Sequence, residues 1–314
     1  MQVSHYLYDW LNSESPLLRR STYEAYTVYI CRHIIPYFEQ LGVTLKELHP
    51  IQIQQYVNEK LRGGRLDGKP GGLGLVTVKK HLSVIKQALK DAVLYGYITT
   101  NPALSVKLPR NTGTLTKRTV FLEAGDAQRM VTALQAEPTM QLAVLLALLY
   151  GLRRSEVLGL RWQSIDFTRG TITIEHTVVK NLTIQAADAT KTESSMAAYQ
   201  LLPEVRTALL RHFESTRGFG SSYVFTRSDG TVMRPDCLTR SFKRCLARHG
   251  FPPMRFHDLR HSTASILFAR GWSLEDVKNW LRHTDIETTS NIYLHYQKSR
   301  RVLVAHDLAG MFTV

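Results

Sequence analysis

Cysteine is nearly missing from this 314-residue chain, with Cys31, Cys237 and Cys245 its whole supply. The count is odd and no Cys-x-x-Cys spacing occurs, so a disulfide framework and a zinc ribbon are excluded and a reducing compartment is expected. Long apolar runs are missing too. The longest, Leu142–Tyr150, falls far below the roughly 20 residues needed to cross a bilayer. The N-terminus has no basic-then-apolar signal pattern, and a soluble, cytoplasmic protein is expected. The glycine-rich stretch Gly63–Gly74 (GGRLDGKPGGLG) lacks the Gly-Lys-Ser/Thr ending of a phosphate cradle, and no strand precedes it. No paired carboxylate cluster is visible, which weighs against a metal-dependent nuclease. Internal repeats and low-complexity tracts are absent as well.

Negative charge is also scarce. Lys and Arg number 40 against 26 Asp and Glu, a net charge of +14 with a pI near 9.8. Such a balance points to a polyanionic partner, with nucleic acid the first candidate. The excess is densest in residues 106–118, where Lys107, Arg110, Lys117 and Arg118 stand with no acidic residue. Basic groups lie on both sides of that stretch, which suggests a cleft or clamp around the polyanion. The length favours two domains, and a 44% hydrophobic content can fill a core in each.

Periodicity supports that division. Residues 1–105 read as helical. In Thr22–Glu39 the residues Tyr23, Tyr26, Ile30, Ile34 and Phe38 share one face, and Pro36 is expected to kink or break the helix. Ile51–Leu61 is a second helix and Gly63–Gly74 a flexible loop. Val76–Leu94 is the clearest helix, with Leu82, Ile85, Leu89 and Val93 as its apolar stripe and Lys79, Lys86 and Lys90 together on another face. Those lysines are either a solvated face or phosphate contacts. Asn101-Pro102 ends the helical part, and the segment to Arg118 reads as a linker. Beyond it, Glu123–Gln135 and Met140–Tyr150 are expected helices, the latter apolar nearly all round and hence buried. A further helix carries Glu156. The period then drops to two: Thr171–Val179 reads as one half-buried strand, with Leu182–Ala187 and Met196–Leu202 as antiparallel partners around a polar turn, Asp188–Ser195, that holds Lys191. Helices return from Pro203 to the end.

Against this frame a few residue types stand at telling spacings. Arg153 and Glu156, in GLRRSEVLGLRW, are three apart, so the carboxylate can hold the guanidinium and leave its planar fork to present two donors to a phosphate. Taken alone, they are equally an ordinary structural ion pair. His257 and Arg260, in HDLRH, have the same spacing, with Asp258 as an available partner and His261 as an alternative. His283 and Tyr293 follow, each of which fits a core position, and Tyr296 rivals Tyr293. Together, a basic pair, a third basic group and a tyrosine are the equipment for attacking a phosphodiester through a phenol.

The order and separation of GLRRSEVLGLRW, ATKTESS, HDLRH, LRH and the late tyrosine resemble the tyrosine recombinases, in particular the phage and conjugative-transposon integrases. STYEAYTVYICRHIIPYF and TVKKHLSVIKQALKDAVLYGYITTNPA look like that family's helical core-binding domain. The resemblance implies a mainly α fold with a small antiparallel sheet (α+β). It comprises a SAM-like core-binding domain over 1–105, a basic linker over 106–118 and a mixed catalytic domain over 119–314 with a C-terminal tail, closed as a C-shaped clamp around DNA. It implies a site-specific recombinase that integrates or excises a mobile element through a covalent 3′-phosphotyrosyl intermediate. Tyr293 matches the nucleophile, Arg153 and Arg260 the phosphate-holding arginines, Lys191 the general acid, His257 the proton-exchanging histidine, His283 a second phosphate donor and Glu156 the acidic support. Lys79, Lys86, Lys90, Lys107, Arg110, Lys117 and Arg118 would contact DNA. No metal, ATP or other cofactor is implied, since cationic side chains replace the metal and the tyrosyl ester stores the broken bond. The expected partners are double-stranded core-site DNA, a dimer and a synaptic tetramer assembled through the tail 300–314, and accessory or directionality proteins. The location would be the bacterial cytoplasm, on the nucleoid. A type IB topoisomerase and a non-catalytic DNA-binding protein on the same scaffold are the rival readings.

Three features depart from the family. Leu281-Arg282-His283 stands where the family shows Leu-Gly-His, so a glycine is lost and a positive charge gained beside the site. MAAYQLLP is unusually apolar for the strand after the lysine. The family's small arm-DNA-binding domain is not seen, because residue 1 falls almost at the core-binding domain, so a natively short protein and a truncated one both remain open.

Overall fold

Helical spacing builds nearly all of the first unit in the computed structural model of this chain: α1 (Val3–Glu14), α2 (Arg20–Tyr29), α3 (Ile35–Leu41), α4 (Pro50–Gly63) and α5 (Leu75–Leu94). The structure describes residues 1–109, 121–180, 184–187, 197–216, 222–282 and 293–294. It divides into two units, Met1–Thr116 and Lys117–Val314. Pro36 decides the shape of the segment that precedes α3. Proline has no N–H to give the carbonyl one turn back and its ring crowds that turn. The helix accordingly widens into a π turn, Ile30–Ile34, where the N–H of Ile35 reaches back to the Ile30 carbonyl.

The first unit packs α1 on α3 and the π turn, buries Tyr6, Leu7, Trp10 and Leu11, and brings α1 to touch α5. Two polar bonds fix the contact: Tyr6 Oη donates to the Ala88 carbonyl at 2.6 Å and Trp10 Nε1 to Asp91 Oδ2 at 2.8 Å. Deeper in, His81 of α5 is fully buried, with its Nδ1 2.8 Å from Tyr56 Oη and the rings of Tyr29 and His33 each 4.9 Å away. At the end of the unit, Gln54 of α4 grips the backbone of Lys107, donating to its carbonyl at 3.0 Å and accepting from its N–H at 2.9 Å.

In the second unit α6 (Ala124–Ala133) leads into α7 (Pro138–Leu149), α8 (Arg154–Gly159), β1 (Ile165–Asp166), β2 (Thr171–Ile174), β3 (Thr177–Lys180), β4 (Ile184–Ala187), β5 (Ala197–Gln200), α9 (Pro203–Thr216), α10 (Pro235–Arg248), α11 (Asp258–Ala269) and α12 (Leu274–Leu281). Helix α7 is buried on every side from Met140 to Leu148, as its almost wholly apolar sequence requires. It packs against α9 and α11. Thr263 Oγ1 of α11 donates to the Leu148 carbonyl at 2.9 Å, and the Leu122 N–H donates to Ser262 Oγ at 2.9 Å.

The strands correct the sequence-based expectation. Thr171–Val179 is not one strand but two, β2 and β3, which belong to different sheets: β1-β2-β5, all antiparallel, and the pair β3-β4. Among the described residues the two stretches flanking Lys191 thus pair with β3 and with β2, and not with each other. Ile172, Ile174 and Val178, all buried, keep the same two-residue phase on both sides of the break, so periodicity in the sequence alone could not reveal it. The break lies where α8 crosses: a Cβ on Gly159 would stand 2.2 Å from the His176 carbonyl oxygen, and only glycine lets the two backbones approach so closely. Among the described residues no helix is long and apolar enough to cross a membrane.

Candidate active site

The end of α7 creates the first part of the site. After Tyr150 the chain reverses at Gly151, whose φ of +61° is open to glycine and costly for other residues. A Cβ there would also stand 2.1 Å from Leu281 Cδ2. Arg153 follows as the N-cap of α8, with extended backbone; it precedes the helix rather than lying on it as the spacing suggests. Glu156, in the first turn and 7% exposed, accepts from the Arg153 N–H at 2.8 Å through Oε2 and from Arg153 Nη1 at 2.9 Å through Oε1. One carboxylate thus caps the helix, answers its positive end and orients the guanidinium.

Arg260 comes from α11 and is 1% exposed. Its Nη1 donates to the Gly151 carbonyl and its Nη2 to the Leu281 carbonyl. Those oxygens lie at the carboxyl ends of α7 and α12, where helix carbonyls lack partners and the helix dipoles are negative. Two helix ends therefore hold a cation that could not otherwise be buried. Burial first, and the Arg153 charge second, push Arg260 down to about 9, so it is still protonated at neutral pH.

His257 caps α11 one turn before Arg260. Burial, then the neighbouring His261, Arg260 and Arg153, push it down to about 4, which leaves it neutral at pH 7. His261 packs edge-to-face against it with ring centroids 4.7 Å apart, and is itself lowered by burial. Asp258 is bound to Arg255 instead of Arg260: it accepts from the Arg255 N–H at 2.8 Å and from Nη2 at 2.6 Å. That pairing pins the loop leading into α11.

Residue 282 supplies what the sequence reading did not foresee. The Arg282 guanidinium donates to Glu156 Oε2 at 3.1 Å and lies over the Tyr199 ring at 5.6 Å. Tyr199, buried on β5 between exposed Ala198 and Gln200, donates to the Trp280 carbonyl at 3.1 Å. Trp280 in turn donates to the Leu149 carbonyl at 3.1 Å. Within the described part of that apolar segment, Tyr199 thus ties α12, through Trp280, to the end of α7. The signal for Arg282 was its place in the Leu-Arg-His triplet, but its partner lies on another helix and no local spacing links them.

Tyr293 is partly buried and packs against the cluster of Ala264, Phe268, Val277 and Leu281, with the Phe268 ring 5.1 Å away. Leu281 also supplies a carbonyl to Arg260. The structure therefore brings Arg153, Glu156, His257 and Arg260 together and sets Tyr293 on the same α11–α12 framework. Lys191, His283, Tyr296, Arg110, Lys117, Arg118 and the tail 300–314 lie outside the described residues. Lys79, Lys90 and Lys107 are exposed and Lys86 is half-buried on the first unit. Among the described residues no group of His, Cys, Asp or Glu could hold a metal ion.

Comparison with known proteins identifies the arrangement. Residues 120–300 match the phage integrase family, and residues 3–61 match the phage integrase N-terminal SAM-like domain. A tyrosine recombinase XerC-like protein of Caldanaerobacter subterraneus subsp. tengcongensis is 28% identical over 304 residues, covering 88% of this chain and 75% of that protein. Among solved structures, the Tn1549 transposon integrase in complex with transposon right-end DNA matches with a TM-score of 0.75 at 18% identity, covering 97% of this chain and 100% of the other. A lambda integrase tetramer bound to a Holliday junction matches at 0.65 and 18%, covering 91% and 78% respectively. At such identity the last two speak for the fold alone.

Proposed function

The chain belongs to the phage integrase family, the tyrosine recombinases, and on that premise we propose how its own residues cut and rejoin DNA. The protein is a site-specific DNA recombinase that integrates or excises a mobile element. Tyr293 is the nucleophile: its phenolic oxygen attacks the scissile phosphorus, the bond to the 5′-oxygen breaks, and a 3′-phosphotyrosyl ester and a free 5′-hydroxyl result. His257, neutral at pH 7, takes the phenolic proton. Lys191 gives a proton to the departing 5′-oxygen. Arg153, aimed by Glu156, and Arg260 stabilise the charge on the non-bridging oxygens, with His283 as a further donor. Each arginine is worth about 10³–10⁵ in rate by analogy with other phosphoryl-transfer arginines. Attack of a second 5′-hydroxyl on the ester reverses the chemistry and joins the new strand, so no high-energy cofactor is consumed.

The observation that carries this reading is the convergence of Arg153 and Arg260, far apart in sequence, with Glu156 and His257 at the ends of α7, α8, α11 and α12. The helical core-binding domain, residues 1–105, binds duplex DNA together with the basic linker, residues 106–118. Lys79, Lys86, Lys90, Lys107, Arg110, Lys117 and Arg118 are its phosphate contacts. Assembly proceeds from dimer to synaptic tetramer, with residues 300–314 docking on a neighbouring protomer. It acts on the nucleoid in the bacterial cytoplasm, with accessory proteins setting direction. A nicked suicide duplex tests the chemistry: the wild-type protein should form an EDTA-resistant covalent adduct and Tyr293→Phe none. Persistence of the adduct in Tyr293→Phe would overturn the assignment of the nucleophile.

A further inference from the structure

Helix α12 ends on an arginine whose backbone conformation suits glycine. Arg282 has φ 54° and ψ 49°, and no other non-glycine residue among those described has positive φ. Left-handed backbone crowds a Cβ and leaves glycine untroubled. Such a conformation persists where surrounding contacts over-determine it, and it concentrates at functional sites. Here the contacts are specific. Arg282 Nη2 is 3.1 Å from Glu156 Oε2, its guanidinium faces the Tyr199 ring, and its side chain is 13% exposed. Glu156 Oε1 meanwhile holds Arg153 Nη1 at 2.9 Å. Two guanidinium groups, at the start of α8 and the end of α12, therefore share one buried carboxylate, whose Oε2 also accepts from the Arg153 N–H at 2.8 Å.

We propose that Arg282 is a positioning residue: it clamps the outer oxygen of Glu156, so that the carboxylate plane, and through it the Arg153 guanidinium, is set for the scissile phosphate. Arg153 meets both oxygens, Oε1 through its guanidinium and Oε2 only through its backbone N–H. Arg282 gives Oε2 a guanidinium donor as well, so an ion pair stands at each oxygen and the terminal torsion, broad in itself, is fixed more firmly. The contacts with Glu156 and Tyr199 are what hold residue 282 in its left-handed conformation. This inference rests on the reading of Arg153 as a phosphate ligand.

Glycine at 282 separates strain from function. In the full-length protein Arg282→Gly should melt at the same temperature as wild type or higher, since the left-handed residue is relieved, yet form the covalent adduct at least tenfold more slowly. Arg282→Lys keeps the charge without the planar fork and should recover part of the rate. In a double-mutant cycle, adding Arg282→Gly to Glu156→Gln should cost less than twofold, because the route through Glu156 is already broken. Without DNA, nitrogen NMR should show hindered rotation of the Arg153 guanidinium in wild type and free rotation in Arg282→Gly. The proposal is overturned by wild-type adduct rates in Arg282→Gly, by a rate loss that merely follows a fall in melting temperature, by full additivity with Glu156→Gln, or by unchanged Arg153 rotation. A wild-type protein that forms no adduct would instead sink the reading of the site, and the NMR measurement would still judge the clamp.

Discussion

Each unit buries a polar cluster in its core, and the two clusters end in opposite electrical states. In the first, His81 is enclosed by Tyr29, His33 and Tyr56, and burial pushes it down to about 4, so the imidazole is neutral, with its Nδ1 on the Tyr56 hydroxyl. Lys60, the nearby cation, stays at the margin with its ammonium 5.5 Å from the Tyr56 ring. In the second, Arg153, Arg260 and Arg282 gather around Glu156, and the Arg260 guanidinium senses the other three. Its charge survives because the ends of α7 and α12 turn carbonyls toward it. A neutral cluster offers an anion no net attraction, whereas a cationic one held by helix ends is prepared for an anion before the anion arrives. Buried polarity alone therefore does not mark a site. Uncancelled charge of one sign, positioned in advance, does.

The largest expected effect strikes the cationic cluster. Arg260→Lys keeps the charge but cannot reach both helix-end carbonyls in one plane, and covalent adduct formation should fall by about 10³–10⁵. His81→Phe, in the neutral cluster, should leave the adduct rate of the folded protein unchanged. Equal losses in the two variants, measured on the same suicide duplex, would erase the distinction drawn here.

A smaller effect should appear in the pH dependence of folding. His81 and His257 are both held near 4 in the folded chain, below the ordinary value of about 6.5. Between those limits the unfolded chain binds protons that the folded chain refuses, so stability is full above about pH 6.5 and declines as pH falls toward 4. Urea unfolding at pH 7 and pH 5 reads this directly. His81→Phe should flatten the slope by removing the first unit's share, and an unaltered slope would show that His81 does not stay neutral. The smallest effect belongs to the exposed lysines of α5. Lys79→Ala or Lys90→Ala should weaken DNA binding alike for all sequences and lower the salt slope by about one each. A sequence-selective loss would mean these lysines read bases.

Much of this was legible from local pattern. The 3.6-residue period and Pro36 announced the helices of the first unit and the place where one is interrupted, because both effects act within a turn or two of chain. The Arg153–Glu156 and His257–Arg260 spacings marked the site for the same reason. Two things were not legible. The strand read over Thr171–Val179 splits because Gly159 of α8 presses on His176, a contact made from outside the segment. Asp258, the natural partner for Arg260 by proximity in sequence, binds Arg255 instead, since Arg260 points inward to carbonyls supplied by two other helices.

The sequence by itself determined the chemistry on offer: which side chains carry charge, which can donate a proton, and the glycine at 151 that lets the chain turn into Arg153. It also determined that residue 282 is an arginine in a place where a glycine is usual. Only the tertiary structure decided what that arginine does, because its partner, Glu156, lies 126 residues away in the chain and 3.1 Å away in space. The same holds for Arg260, whose charge is stable in the core only because α7 and α12 end beside it. A side chain's type is local information; the field in which it acts is made by elements that meet only when the chain has folded.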